Sequence, residues 1–265
     1  MVSTAIMFFT DSHCHIDFIE FDDNLNNLLQ KCKKSNIHRI IVPGITAKSW
    51  PRLLKTCQLH PCLYPCLGLH PWWINKASQS DLDTLENNLH QHKLLALGEI
   101  GIDGGIEDID KQTHFFDQQL ELANQFNLPV LIHHRKSHHL IVPILKQKQQ
   151  QQGGVIHAFS GNYQQAKAYI DLGYKLGIGG TITYERAKKT REAIQKIPVE
   201  SILLETDAPA MPISGHQGEH NSPLMLLPIF EHLCQLRVEK PVNLAEQIEN
   251  NIEQLFFLNE SNTLT

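Results

Sequence analysis

Short apolar runs alternate along the chain with longer segments whose apolar residues recur at helical spacing. The run Ile6-Met7-Phe8-Phe9 predicts a first strand. Leu25, Leu28, Leu29 and Cys32 then predict a helix from Leu25 to Lys34, and His38-Arg39-Ile40-Ile41-Val42 reads as a buried strand closed by Pro43-Gly44. Trp50 to Leu59 is a second helix, and Leu63 to Leu69 a third strand that ends at Gly68-Leu69-His70-Pro71. A helix from Asp81 to His92, capped by Ser80 or Asp81, leads to an apolar strand, Leu94 to Asp103, which stops at acidic residues. The helix from Asp110 to Phe126 offers Phe115, Phe116, Leu120, Leu122 and Ala123 as its inner face. A strand at Val130-Leu131-Ile132, a helix reaching Gln149, a strand at Val155-Ile156, a helix from Tyr163 to Leu172 and a strand from Lys175 to Ile178 continue the rhythm. A basic helix, Glu185 to Lys196, precedes the strand Ser201 to Glu205, and helices at Pro223 to Leu236 and Leu244 to Phe257 close the chain.

Eight apolar strands, each followed by a helix and with no linker-like segment, predict one α/β domain over residues 1–265, a single (β/α)8 TIM barrel. A doubly wound open sheet is the competing architecture. It would bring a glycine-rich dinucleotide loop, and no GxGxxG follows a strand here. In such barrels chemistry sits at the C-terminal ends of the strands.

Composition narrows the partners. Hydrophobic content of 42% with 19% charged residues is ordinary for a soluble globular protein, and a formal charge of -5 argues against nonspecific clamping of a polyanion. A local phosphate site stays open. The six cysteines have neither CxxC pairs nor the density of a secreted scaffold, so reduced thiols in a cytoplasmic protein are expected. No export segment, membrane span or obligate protein partner is indicated. Of the sixteen histidines, His60, His90, His92 and His232 sit in polar helical contexts, and His134, His138 and His139 read as solvent-facing.

The remaining histidines fall where the strands end. In Asp11-Ser12-His13-Cys14-His15, side chains two apart on an extended strand point the same way, so His13 and His15 can offer two imidazoles to one ion while Cys14 packs on the other side. His70 ends the third strand, Glu99 and Asp103 the fourth, His133 the fifth, His157 the sixth and Asp207 the eighth. Imidazoles and carboxylates converging on one barrel mouth are costly to bury unless neutralised, which divalent cations do directly. One tetrahedral ion takes about three protein ligands, so this set suggests two ions about 3.5 to 4 Å apart. His13, His15 and Asp207 are expected to hold one ion, His133 and His157 the other, with Glu99 bridging and Asp207 taking a proton from the attacking water. Mixed nitrogen and oxygen donors suit zinc, manganese, magnesium or nickel alike. His70 and Asp103 are weaker candidates: His70 can hydrogen-bond its loop or reach substrate, and Asp103 can cap the next turn.

The chain resembles the TatD family of metal-dependent hydrolases over nearly its whole length. The matching motifs are Asp11-Ser-His-Cys-His15, Gly68-Leu-His-Pro71, Gly98-Glu-Ile-Gly-Ile-Asp103, Pro129-Val-Leu-Ile-His-His-Arg135, His157-Ala-Phe-Ser-Gly161, Glu205-Thr-Asp-Ala-Pro209 and Asn221-Ser-Pro223, and Asn251 through Leu255-Phe256 fits the C-terminal pattern. The resemblance implies a TIM barrel and metal roles for His13, His15, Glu99, His133, His157 and Asp207. Family members characterised as DNases act on DNA ends, so it also implies phosphodiester hydrolysis, with Arg135 as a bidentate donor to a nonbridging phosphate oxygen. A salt bridge at the barrel rim is the plainer role for Arg135, and a solvated helix face the plainer role for Lys188, Lys189 and Arg191, which can otherwise guide a strand. After Asp103, where many family DNases carry an aromatic, this chain has Gly104-Gly105-Ile106, closer to an uncharacterised hydrolase subgroup. Trp72 and Trp73 can supply base stacking instead or pack the loop. An amidohydrolase-like hydrolase of a small ester, lactone or amide is the alternative activity, and a noncatalytic metal scaffold the alternative class.

Overall fold

Strands that are apolar on both faces can only be buried on both, and the alternation closes into one parallel sheet in sequence order. Its strands are β1 (Phe9–Asp11), β2 (Ile37–Pro43), β3 (Leu63–Leu67), β4 (Ala96–Asp103), β5 (Val130–Arg135), β6 (Gly154–Ile156), β7 (Tyr174–Ile178) and β8 (Ile202–Leu204). This computed structural model describes residues 7–258. β8 meets β1 at the C-terminal end: Ser12 N donates to Leu204 O at 2.9 Å and Asp207 N to His13 O at 2.8 Å. The buried Asp11 carboxylate bolts that seam, accepting Thr206 N at 3.0 Å and Thr206 Oγ1 at 2.6 Å. The architecture is the expected (β/α)8 barrel.

The outer layer comprises α1 (Leu25–Lys34), α2 (Trp50–Leu59), α3 (Gln79–Gln91), α4 (Ile109–Gln125), α5 (His138–Lys148), α6 (Tyr163–Ile170), α7 (Lys188–Lys196), α8 (Leu226–Leu236) and α9 (Pro241–Ile252). One core lies between this layer and the strands. A second fills the barrel, where Ile41, Cys66, Leu131, Val155 and Leu203 meet Leu255 and Phe256 of the last turn. The interior is therefore packed from its N-terminal end, leaving the opposite mouth for polar groups. All six cysteines are free. Among the described residues no helix is long and apolar enough to cross a membrane.

Several boundaries differ from expectation for local reasons. α3 begins at Gln79 because Ser78, not Ser80 or Asp81, is its cap, and Asp81 reaches back to accept Ser78 N at 2.8 Å. β5 continues beyond Ile132 because β4 extends equally far, pairing Gly101 with His133 and Asp103 with Arg135. α7 starts at Lys188, after a 3-10 turn, Gly180–Thr183. Ile6 of the expected first strand lies outside the described residues, as does the segment 1–5.

Candidate metal centre

The barrel brings the expected ligands together, but not all from strand ends: His13, His15, His157 and Asp207 lie past their strands, whereas Glu99 stands midway along β4 and His133 two residues before the end of β5. β1 itself stops at Asp11, so His13 and His15 lie beyond the regular strand. The segment stays extended by other bonds: Cys14 N donates to Ile41 O at 3.1 Å and His15 N to Ala208 O at 2.8 Å. Cys14 is buried on the opposite side, as alternation requires.

Glu99 is the centre of the cluster, and its two oxygens face different groups. Oε2 lies 3.2 Å from His13 Nε2 and 3.5 Å from His15 Nε2, each of which is 3.6 or 3.7 Å from Asp207 Oδ1. Oε1 lies 3.1 Å from both His70 Nε2 and His133 Nδ1, which are 3.3 Å from each other. His157 Nε2 stands between the groups, 3.7 Å from Glu99 Oε1 and 3.8 Å from Asp207 Oδ1, with its ring stacked on His13 at 3.6 Å. Donors around a cation with bonds of about 2.0 to 2.2 Å sit roughly 3.3 to 3.6 Å apart, which matches these separations. The donor set therefore fits divalent cations, and among the described residues His13-His15-Glu99, His70-Glu99-His133 and His13-His157-Glu205 are groups that can each hold one. His133 and His157, expected to share an ion, fall in different groups, their ring centroids 6.3 Å apart.

Two placements depart from the sequence reading. His70, expected to hydrogen-bond its loop or reach substrate, accepts Trp72 N at Nδ1 at 3.1 Å and also turns Nε2 to Glu99 Oε1, among the donors. His134 and His138, expected to face solvent, bury Nε2 and Nδ1 respectively without a hydrogen-bond partner. They lie against Tyr169 of α6, ring centroids 5.9 and 5.1 Å away. His139 is exposed. Arg191 is not a free guide for a strand, since its Nη1 donates to Ile182 O at 2.6 Å.

A second layer of groups aims the ligands, and of these only Asp103 stands out in the sequence, as a weaker ligand candidate or a cap of the next turn. His15 Nδ1 contacts Pro43 O at 3.1 Å, so it carries the proton and turns Nε2 to the cluster. The buried carboxylate of Glu205 pairs with the far side of the His157 ring, Oε1 2.9 Å from Nδ1, and the same oxygen accepts Ala158 N at 2.6 Å. A charged residue directly extending the apolar run Leu203-Leu204 was the available signal. Asp103 backs His133, with Oδ2 3.2 Å from Nε2.

The electrostatics follow from burial opposed by pairing. Burial holds His13 well below the usual imidazole value, and the neighbouring His157 adds to that. For His157 burial is outweighed by Glu205, Asp207 and Glu99, which raise it to about 10. Glu99 is driven well below the carboxylate range, since the surrounding histidines overcome its burial. Asp207 is pushed up to about 6 by burial, partly offset by His157 and His15. Its backbone is left-handed, with φ of 56°, and the bond from its N to His13 O holds it there.

A parallel eight-stranded barrel with histidines and carboxylates crowded into its C-terminal mouth is the architecture of a metal-dependent hydrolase. The family model described as TatD related DNase matches residues 10–257, and the chain belongs to the TatD family. It is 42% identical over 252 residues to the uncharacterized metal-dependent hydrolase YjjV of Escherichia coli K12, covering 94% of this chain and 97% of that one. An uncharacterized metal-dependent hydrolase of Haemophilus influenzae is also 42% identical, over 94% of this chain and all of its own length. The crystal structure of YjjV superposes with a TM-score of 0.91, again over 94% and 97% of the two chains. A TatD-family hydrolase of Entamoeba histolytica, 18% identical, shares the fold with a TM-score of 0.84 over 95% and 98%.

Proposed function

We infer that this chain is a deoxyribonuclease that hydrolyses phosphodiester bonds at DNA ends with two divalent ions. The division of Glu99 between two donor groups, Oε2 toward His13 and His15 and Oε1 toward His70 and His133, is the observation that carries this reading. When bound, such a pair of ions supplies Lewis acidity to both the attacking and the leaving oxygen of a phosphoryl group. The side chains do the rest. Asp207 keeps Oδ1 at the inner edge of the mouth, beside His13 and His15, and accepts a proton from the attacking water there. His157 is the imidazole beside it, held by Glu205. Arg135, half-exposed at the rim with Nη1 3.5 Å from Asp103 Oδ1, supplies the cation for a nonbridging phosphate oxygen. Six unpaired cysteines support a reducing compartment, and we place the enzyme in the cytoplasm.

The test is hydrolysis of an end-labelled single-stranded oligodeoxynucleotide by chelator-stripped protein given Mg²⁺, Mn²⁺ or Zn²⁺. Metal-dependent shortening from one end, absent in Asp207→Asn, is the expected result. Two bound ions per chain with no cleavage by any of them would overturn it in favour of a carboxylic ester, lactone or amide substrate.

A further inference from the structure

Asp103 serves more partners than a ligand-backing carboxylate needs, and two of them face out of the mouth. It is fully buried. Oδ2 accepts Trp72 Nε1 at 2.6 Å and faces His133 Nε2 at 3.2 Å. Oδ1 accepts Gly105 N at 2.7 Å and lies 3.5 Å from Arg135 Nη1. One fixed carboxylate thus ties an indole and a guanidinium to the rim of the metal cluster.

The indole is held at several points. Trp72 N donates to His70 Nδ1 at 3.1 Å, and Pro71 opens the 3-10 turn Pro71–Lys76 that carries the residue. Its ring stands edge-to-face with His70 at 5.3 Å and with His133 at 6.1 Å. Despite these tethers Trp72 is 55% exposed. A large apolar ring fixed in one orientation but left half in water is poor packing and a good stacking surface. Trp73, 40% exposed, differs, because Lys76 Nζ lies over its ring at 5.4 Å from the centroid. Of this pair, Trp72 is the one whose ring meets the donor cluster, at His70 and His133.

We propose that Trp72, positioned by Asp103, is the platform on which the nucleobase at the severed end stacks, and that it sets the preference for a nucleic acid end over a bare phosphodiester. This rests on the phosphodiesterase reading of the same site. Arg135 on the other oxygen of Asp103 places a cation for the adjoining phosphate, so one carboxylate frames both parts of a nucleotide. Gly104 and Gly105, directly after Asp103, carry no aromatic ring, whereas Trp72 presents one beside His70 and His133.

The experiment compares KM on two single-stranded oligonucleotides, one ordinary and one with tetrahydrofuran abasic residues at both ends, using the full metal-loaded chain. Base stacking on an aromatic is worth about 5- to 150-fold, so the abasic-to-ordinary KM ratio should fall in that range for the parent protein. It should collapse to near unity in Trp72→Ala and return in Trp72→Phe. Deoxyadenosine monophosphate should quench indole emission in the parent but not in Trp72→Ala, while 2-deoxyribose 5-phosphate quenches neither. A KM ratio near unity in the parent, or one unchanged in Trp72→Ala, overturns the platform and leaves the phosphodiesterase reading standing. Cleavage of neither oligonucleotide overturns the phosphodiesterase reading, and nucleotide quenching lost in Trp72→Ala would then still support the platform. Nucleotide quenching unchanged in Trp72→Ala overturns it.

Discussion

Gly177, inside β7, has no side chain because Glu205 occupies the space one would take. A Cβ built there would lie 1.9 Å from Glu205 Oε2 and 2.6 Å from its Cδ. Glu205 cannot swing aside freely, since it is fully buried and its Oε1 is bound to Ala158 N and paired with His157 Nδ1. Gly177→Ala therefore forces the carboxylate off both partners. Overpacking costs about 1 to 3 kcal/mol and separating a buried charge pair about 3 to 5 kcal/mol, against a gain of about 0.5 to 1 kcal/mol from replacing a strand glycine. The net expectation is a loss of about 3 to 7 kcal/mol, read from urea unfolding of chelator-stripped protein. Gly173→Ala is the control: it has a left-handed φ of 87° but no atom within 4 Å of the added Cβ, so only backbone strain of about 1 to 2 kcal/mol applies. The clash also predicts a coupling. In a Glu205→Ala background Gly177→Ala should cost at least about 2 kcal/mol less than in the parent. A Gly177→Ala protein within about 1 kcal/mol of the parent, or additive effects in the double mutant, would refute the packing of Glu205 against β7.

Three further expectations concern the mouth and its surroundings. Returning a divalent ion to stripped protein at about 100 times its dissociation constant should stabilise the fold by about 2.7 kcal/mol per site, visible as a raised melting temperature, and no shift with any ion would refute the metal centre. Asp207→Asn should lower kcat about 10²- to 10⁴-fold with an unchanged circular dichroism spectrum, and full activity would remove Asp207 from proton transfer. Burial pulls His134 down to about 3, so the folded chain refuses a proton that the unfolded chain takes up below about 6.5. Stability contributed by neutral His134 is thus intact above that value and lost progressively as pH falls toward 3, by about 2 kcal/mol at pH 5. His134→Phe should abolish that part of the acid sensitivity in urea titrations at pH 7 and pH 5, and an identical pH dependence in the two proteins would show that His134 does not titrate as a buried group.

The barrel was legible because strands covered on both faces leave an unmistakable trace: runs such as Leu94 to Leu97 or Ile202 to Leu204 have no polar face to alternate with. The candidate ligands were legible for the complementary reason, since a histidine or carboxylate directly after such a run has been carried to the barrel mouth by the strand before it. The two-residue alternation reaches His13 and His15 even though β1 stops at Asp11, because bonds to Ile41 and Ala208 keep the next residues extended. What stayed hidden depends on neighbours remote in sequence. His70 ends its strand like the others, and nothing local distinguishes a side chain aimed at Glu99 Oε1 from one aimed at substrate. Polar surroundings made His134 and His138 look exposed, but it is Tyr169, some thirty residues on, that lies against both rings. Trp72 shows the limit most clearly: its sequence neighbours suggest loop packing or stacking equally well, and the choice turns on Asp103, which accepts the indole N–H hydrogen bond and fixes the ring beside His133.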